Sequence, residues 1–333
     1  MDALLSDFGP CGSSVADNTP VLQAAIDAVA GRYGHGGEGG RLRVPPGTYR
    51  CQQPLSLQSR YDLTIEGYGE IVYEGLLEPF VSLASAQRIT LRDLRLSYSH
   101  PGFQGRLVAC DTTGSDPAYL WFDNVVLSGR PTATGAIALL ELNRAIMVDV
   151  ARCRFSHAQV GIAGVRDSYS NNVAIRAGTT FAQLDRVAVL NAGESWTVQG
   201  CTFQQLRSGQ AGAYTQTPTY YARALTFDTC WFGDVSANGG SWISPVLVLG
   251  LQLRNNSFGT PGAGPTDVCV RVQGSQAVTI LGNRFEGPRN LSFEGSYTFG
   301  GLIAANDFQG GIPILGTNLT QVRRVGNLGL ADA

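Results

Sequence analysis

The chain of 333 residues contains no lysine, so all 24 of its basic residues are arginine. Charged residues make up only 15% of the sequence, the formal net charge is −2, and no block of like charge occurs. Proteins that bind nucleic acid usually carry a basic surface, so this composition argues against nucleic acid as a partner. A catalytic base or cationic side chain must here be arginine or histidine, because lysine is absent.

Other common signals are absent too. The sequence does not open with a basic stretch followed by an apolar segment, and the longest apolar run, Val246 to Leu253, is far shorter than a membrane span. We therefore expect no classical signal peptide and no membrane insertion. The seven cysteines include no Cys-x-x-Cys pair, so neither a metal site nor a cofactor is expected.

A short pattern recurs along the chain: an apolar strand, a small polar turn, and then Phe or Leu. Its steps are mostly 23 to 31 residues, and one double step of 48 residues hides a degenerate copy near Phe181. Period-two alternation before each copy is typical of a strand. The repeat therefore predicts an all-β fold, a parallel β-helix of about nine to ten coils. The repeated positions are Leu96, Leu127, Phe155, Phe203, Phe232, Phe258, Phe285 and Phe308.

Stacked coils would turn each repeated position into a column. The phenylalanines predict an internal aromatic stack, and Asn256, Asn283 and Asn306 predict an asparagine ladder at a turn. Cysteine takes the asparagine position in earlier coils, which predicts buried, reduced thiols at Cys153, Cys201 and Cys230. An ordinary β-sandwich is the alternative, but it would place strands every 8–12 residues without this longer shared register.

The region before the repeats predicts one helix, from Asn18 to Gly31. Asn18 or Thr19 can cap it, Pro20 suits its first turn, and Gly31 ends it. Leu22, Ala25, Ile26 and Val29 fall on one apolar face. Because the end of a β-helix exposes its core, we expect this helix to cover that end.

Residues 5–58 carry a motif of characteristic order and spacing. It comprises Asp7-Phe8-Gly9, Asp17-Asn18-Thr19, the segment from Leu22 to Ala28, and Val44-Pro45-Pro46-Gly47-Thr48-Tyr49. It resembles the opening of the pectate-lyase-like superfamily, which includes phage tailspikes and bacterial exopolysaccharide-degrading proteins. The departures, Pro10-Cys11 and Ser13-Ser14, lie in a loop.

The resemblance implies a right-handed, single-stranded parallel β-helix over residues 51–333, with residues 1–50 as a capping segment. It also implies a polysaccharide partner, a homotrimer, a location in a virion tail or outside the cell, and possible contact with other phage tail proteins. The motif is structural in the superfamily and carries no catalytic information.

Three carboxylates each follow an apolar strand in consecutive coils: Asp111, Glu141 and Asp167. Aligned on those strands they occupy nearly one column, where neighbouring coils would place them about 5 Å apart. Such pairs suit glycoside hydrolysis, and repulsion between stacked acids would supply a general acid. Two alternatives stay open: solvated strand-end residues, or a cation site.

Two segments interrupt the repeat, residues 204–223 and 233–245. They contain Tyr214, Tyr220, Tyr221, Asp234 and Trp242 among small polar residues. Aromatic rings stack on sugars, so these residues are candidates for one wall of a substrate groove. Tyrosine and tryptophan are also enriched at subunit contacts, which is the alternative.

Two functions fit these observations. The chain is either a tailspike-like depolymerase, with hydrolysis favoured over elimination, or a glycan-adhesion or structural component that does not cut. The carboxylate column favours the enzyme, whereas the absence of a known catalytic motif favours the binder. Fold alone cannot decide between them.

Overall fold

A computed structural model describes residues 1–32, 39–110, 117–129, 137–165, 170–206, 211–216, 222–233, 240–261, 267–295, 299–309, 311–316 and 321–330. The chain divides into two compact units, Met1–Val165 and Arg166–Ala333. No helix among the described residues is long and apolar enough to cross a membrane.

The first unit contains the only α-helix of the described chain, α1 (Thr19–Val29), and a short 3-10 helix, Leu5–Phe8. Its strands are β1 (Asp2–Leu4), β2 (Gly31–Arg32), β3 (Arg41–Arg43), β4 (Gly47–Cys51), β5 (Leu55–Ser56), β6 (Arg60–Glu66), β7 (Gly69–Tyr73), β8 (Val81–Ser82), β9 (Gln87–Arg92), β10 (Arg95–Tyr98), β11 (Arg106–Cys110), β12 (Ala118–Asp123), β13 (Val126–Ser128), β14 (Ala138–Leu142), β15 (Ile146–Ala151), β16 (Arg154–Ser156) and β17 (Val160–Gly164).

Every third strand of the first unit pairs in parallel, which builds three sheets. Sheet A contains β1, β3, β6, β9, β12 and β15, with β2 antiparallel to β6; sheet B contains β4, β7, β10, β13 and β16; sheet C contains β5, β8, β11, β14 and β17. The first coil already includes β3 and β4, so its strands begin before residue 51.

The second unit repeats this arrangement. Its strands are β18 (Asn171–Arg176), β19 (Thr180–Ala182), β20 (Val187–Leu190), β21 (Glu194–Gln199), β22 (Thr202–Gln204), β23 (Ala211–Thr215), β24 (Ala222–Asp228), β25 (Trp231–Gly233), β26 (Ser241–Ser244), β27 (Val248–Leu249), β28 (Gln252–Arg254), β29 (Ser257–Phe258), β30 (Val268–Gln273), β31 (Gln276–Leu281), β32 (Arg284–Phe285), β33 (Arg289–Glu294), β34 (Phe299–Ala304), β35 (Asp307–Phe308), β36 (Ile312–Leu315) and β37 (Val322–Val325).

Within this unit, sheet A contains β18, β21, β24, β27, β28, β31, β34 and β37. Sheet B contains β19, β22, β25, β29, β32 and β35, and sheet C contains β20, β23, β26, β30, β33 and β36. The chain is thus a parallel β-helix of about nine turns with one helix, which confirms the predicted fold class.

The predicted aromatic stack is present in the second unit. Successive rings lie 4.5–5.1 Å apart between centroids, with interplanar angles of 8° or less. The degenerate coil expected near Phe181 is real, because that ring stacks on Phe203. Burial of these rings removes a large apolar area from water in every coil. The stack contains Phe181, Phe203, Phe232, Phe258, Phe285 and Phe308.

The predicted asparagine ladder runs beside this stack and extends one step further, to Asn327. The side-chain oxygens of Asn283, Asn306 and Asn327 each accept hydrogen bonds from the backbone N–H and the amide of the asparagine one coil earlier, at 2.9–3.1 Å. The residue before each ladder position has a left-handed φ; Asn255, for example, has φ 54°. This turn places the polar amide inward, where the ladder satisfies it.

The cysteines also lie as predicted. All seven are free thiols, and Cys153, Cys201 and Cys230 are buried. The Cys153 thiol contacts the carbonyl oxygens of Phe122 and Ala151 at 3.3 and 3.2 Å. Burial raises the pKa of Cys153 to about 12.

Helix α1 packs on the core of the first coils. Its apolar face is buried, and Leu22 and Ile26 share a space of only about 20 Å³ with Leu55, Leu57 and Leu96. Asn18 is the N-cap residue, but its side chain makes no capping hydrogen bond to the helix. Its amide instead donates hydrogen bonds to carbonyl oxygens of the preceding loop and to Arg50 O. The helix therefore covers apolar side chains of the first coils, as its amphipathic pattern predicted.

Candidate functional site

The outer face of sheet A in the first unit carries an exposed aromatic pair. In β12, Leu120 and Phe122 point into the core, so Tyr119 and Trp121 point outward. Tyr119 is 42% exposed and Trp121 39% exposed. Their ring centroids lie 6.4 Å apart, with 33° between the planes. Two large rings therefore lie side by side in contact with solvent.

The neighbouring strands surround this pair with polar and flexible side chains. Trp121 pairs in register with Thr90 on β9 and Asp149 on β15. Met147, which is also exposed, occupies the position beside Tyr119 on β15. We call these five outward side chains the sheet A surface. It offers apolar ring faces next to hydroxyl and carboxylate groups.

Ion pairs border the sheet A surface at both ends of its strands. At one end Arg88 holds Asp62 through two contacts, one of them 2.8 Å long, and this hydrogen bonding lowers the pKa of Asp62. At the other end Asp123 pairs with Arg92 at 3.3 Å and with Arg152. Charges of both signs lie close together, so the border has little net charge.

This combination suits a carbohydrate. Sugar rings carry C–H groups on their faces, and an aromatic ring that covers such a face removes apolar area from water on both partners. Hydroxyl groups at the ring edges need donors and acceptors, which Thr90 and Asp149 provide. The outer face of a parallel sheet leaves room for an extended chain.

A second polar cluster lies on sheet C of the first unit and includes Glu141. The Arg106 guanidinium donates to Glu141 Oε1 at 2.6 Å and lies 3.3 Å from Glu78 Oε2. Burial opposes the charged form of Arg106, but the hydrogen bond and charge of Glu141, together with Glu78, raise the pKa of Arg106. Glu141 is thus a half-buried carboxylate in contact with a cation.

The strand register corrects the predicted carboxylate column. Glu141 on β14 pairs with Ala109 on β11 and Ala163 on β17, so its neighbours in the column are alanines. The alignment on preceding strands was therefore two residues off at Asp111. Asp111 and Asp167 themselves lie outside the described residues. Within the described part of the chain, no group of three His, Cys, Asp or Glu side chains could hold a metal ion.

Two of the predicted groove residues are core residues instead. Tyr214 and Trp242 are 0% and 1% exposed, so neither ring can stack on a ligand. Both lie on sheet C strands: Tyr214 pairs with Val189 and Ile243, and Trp242 donates its Nε1–H to Gly259 O at 2.8 Å. The polar segments contain strands that complete their coils. Tyr220, Tyr221 and Asp234 lie outside the described residues.

The aromatic pair of the sheet A surface escaped the sequence analysis, although a signal for it exists. Residues 118–123 alternate, and Tyr119 and Trp121 occupy the parity opposite to the core residues Leu120 and Phe122. Two adjacent large aromatics on the outward face of one strand form a contiguous exposed apolar patch, which marks a candidate binding surface, unlike a single exposed ring. Attention to the outward parity of every coil would have found it.

No protein-family model matches the chain. Two curated proteins of Azotobacter vinelandii are similar over short stretches: mannuronan C5-epimerase AlgE1, 37% identical over 79 residues, and mannuronan C5-epimerase AlgE6, 36% identical over 97 residues. These stretches are 22% and 27% of this chain, but only 5% and 10% of the two epimerases.

Solved structures match almost the whole chain. The A-module of the A. vinelandii mannuronan C-5 epimerase AlgE4 has a TM-score of 0.69 at 18% identity, covering 98% of this chain and 94% of the module. The tailspike of E. coli bacteriophage HK620, solved with a pentasaccharide, has a TM-score of 0.65 at 14% identity, covering 98% of this chain and 65% of its own. The Streptococcus pneumoniae surface adhesin PfbA has a TM-score of 0.63 at 12% identity, covering 92% and 91%.

At these identities the matches concern the fold alone. They are right-handed β-helix proteins, so the resemblance of residues 5–58 to the pectate-lyase-like superfamily is confirmed at the level of the fold.

Proposed function

We propose that this chain, a right-handed parallel β-helix of the pectate-lyase-like fold, binds a polysaccharide on the sheet A surface of its first unit. The observation that carries the proposal is the exposed pair Tyr119 and Trp121, whose rings lie 6.4 Å apart among polar side chains. The fold is compatible with this role, since the matching structures include a tailspike solved with a pentasaccharide. Sugar residues would stack on the two rings and bond to Thr90 and Asp149.

The test is the affinity of the protein for bacterial surface glycans, measured for wild type and for Trp121→Ala. Loss of one stacked ring removes about 1–2 kcal/mol, so we expect about 5- to 30-fold weaker binding. Trp231→Ala is the matched control, because Trp231 is 40% exposed but lies on sheet B of the second unit. Equal binding by wild type and Trp121→Ala would refute the assignment.

Cleavage is a second proposal and concerns a different face, sheet C, where Glu141 contacts Arg106; it requires a glycan that lies on sheet C and not only on the sheet A surface. The carboxylate would act with Asp111 or Asp167 as the pair that glycoside hydrolysis requires. Glu141→Gln keeps the shape and hydrogen-bonding capacity near Arg106 but removes the negative charge. We expect loss of newly formed reducing ends with binding retained; unchanged release of reducing ends would eliminate Glu141. Without any cleavage by wild type, the chain is a glycan-adhesion or structural component.

The biological setting is proposed from the same fold. Similarity of the fold to the HK620 tailspike supports a tailspike-like component of a virion tail or an extracellular protein. Such a component would act as a homotrimer and contact other tail proteins. Sedimentation equilibrium of the purified chain tests this: a mass of three chains agrees with it, and a monomer at all concentrations contradicts it.

A further inference from the structure

A second cavity of the first unit lies where the sheet A strands turn into sheet B. It is an open cleft of about 460 Å³, within the range of ligand sites, and is lined by Thr48, Tyr68, Glu70, Asp93, Arg95 and Asn124 among others. Asp93 and Asn124 occupy the same turn in successive coils, and both have a left-handed φ. Tyr68 and Glu70 come from the coil before. Three coils therefore contribute side chains to one cleft.

The polar groups of this cleft are held in place by protein contacts. Asn124 donates its amide to Asp93 Oδ1 at 2.6 Å, and Ser97 donates its hydroxyl to Glu70 Oε1 at 3.2 Å. Arg95 lies 3.9 Å from the same Glu70 oxygen. Within the described part of the chain, Glu70 Oε2 and Asp93 Oδ2 have no hydrogen-bond partner. Two oriented acceptors, and the donors of Arg95, are thus available to a ligand.

Tyr68 supplies an apolar wall. Its side chain is 75% exposed, which is unusual for an aromatic residue. Among the described residues, no other aromatic ring contacts it. Packing of the fold therefore does not require this ring. Next to fixed acceptors, an exposed ring is the arrangement that a sugar residue needs: one face covered, and edge hydroxyls bonded.

Charge restricts the sugar further. Glu70 and Asp93 carry two negative charges and Arg95 one positive charge, so the cleft has a net charge of −1. An acidic sugar would bring a further negative charge into contact with two carboxylates, which repel it. An uncharged sugar instead donates its hydroxyls to them. The cleft therefore disfavours uronate, although the curated matches are enzymes named for mannuronan.

We propose that this cleft binds one uncharged, hydroxyl-rich sugar residue and thereby selects a neutral polysaccharide over an acidic one. The inference rests on the proposed function, because it names the class of glycan that the first unit binds. Tyr68 covers the ring face, and Glu70 and Asp93 accept its hydroxyls.

The test is a glycan array that carries neutral bacterial oligosaccharides beside uronate-, sialate- and phosphate-bearing ones. It is read with wild type, Tyr68→Ala, the double variant Glu70→Gln/Asp93→Asn, Trp121→Ala and the control Trp231→Ala. Asparagine tolerates the left-handed φ of 53° at residue 93, so the double variant keeps the turn. Circular dichroism verifies that each variant is folded.

We expect wild type to bind neutral glycans, with about a fivefold loss for Tyr68→Ala and about a tenfold loss for the double variant. Wild-type binding of acidic glycans would overturn the inference while leaving polysaccharide binding intact. If binding of neutral glycans depends on Trp121 but not on Tyr68, Glu70 or Asp93, the assignment of the sugar to this cleft is overturned and the sheet A surface is kept. Failure of wild type to bind any glycan would overturn both this inference and the proposed function.

Discussion

The asparagine ladder makes one prediction whose size follows from the structure. Asn283 is 1% exposed; its oxygen accepts from the N–H and the amide of Asn256, and its amide donates to Leu253 O and Asn306 Oδ1, all at 2.9–3.0 Å. Asn283→Ala leaves the Asn256 N–H unpaired in the interior and removes three further side-chain hydrogen bonds, to the Asn256 amide, Leu253 O and Asn306 Oδ1. The unpaired N–H costs about 1–3 kcal/mol and each further bond about 0.5–1.5 kcal/mol, so we expect a loss of about 3–5 kcal/mol.

The assay is urea unfolding followed by far-ultraviolet circular dichroism, which reports the free energy of unfolding. Asn327→Ala is the matched control: it ends the ladder and is half-buried, so water can replace its bonds and the loss should be about 1 kcal/mol. Asn283→Asp keeps the shape but removes the donors, and should be as harmful as alanine. A loss below 1 kcal/mol at Asn283, or losses equal at the two positions, would refute the reasoning.

Three further predictions concern the core and the helix. Phe232→Ala removes a ring stacked between two others at 4.8 and 4.5 Å, and should cost about 3–5 kcal/mol in the same urea assay; a loss under 1 kcal/mol would mean that the stack contributes little. An alkylating reagent at pH 8 should modify only the half-exposed Cys11 in the folded protein, because the other six thiols are buried and burial raises the pKa of three of them, Cys51, Cys153 and Cys269, to about 12; rapid native reaction of any of these three would contradict their burial. Burial opposes ionisation of Asp17, but hydrogen bonds from Thr19 and from the N–H of Gln52 lower the pKa of Asp17. The stability that the Asp17 carboxylate contributes is therefore complete above about pH 4 and is lost as the pH falls through the lowered pKa. Asp17→Asn should abolish this part of the acid dependence of stability, and an unchanged acid dependence would exclude a contribution from Asp17.

The fold was predictable because the same residue types recur in the sequence once in each coil. Phe232 and Asn283 recur as Phe and Asn at nearly constant spacing, and only stacked coils make such positions neighbours. Helix α1 was predictable from its apolar face and Pro20, and the structure shortens it only by a residue or two at each end. The capping role of Asn18 was not predictable, since its amide bonds depend on where Arg50 lies.

The candidate site was less predictable because it depends on register and burial. Tyr214 and Trp242 lie in segments rich in glycine and small polar residues that read as loops, yet each belongs to a strand whose partners are distant in sequence. Glu141 lies within β14 and pairs with Ala109, whereas Asp111 follows the last residue of β11, so the alignment of these two carboxylates was off by two residues. To predict that Tyr119 and Trp121 are exposed, one must know which of the two alternating sets of residues in the strand faces outward.

The central claim is that a glycan contacts the outer face of sheet A in the first unit, and the four tryptophans allow a direct test. Trp196 and Trp242 are buried, whereas Trp121 and Trp231 are exposed on different units. In fluorine NMR of the protein labelled with fluorotryptophan, titration with the preferred array glycan should move the Trp121 resonance and leave that of Trp231 in place. A stationary Trp121 resonance at saturating glycan, or movement confined to Trp231, would contradict the account.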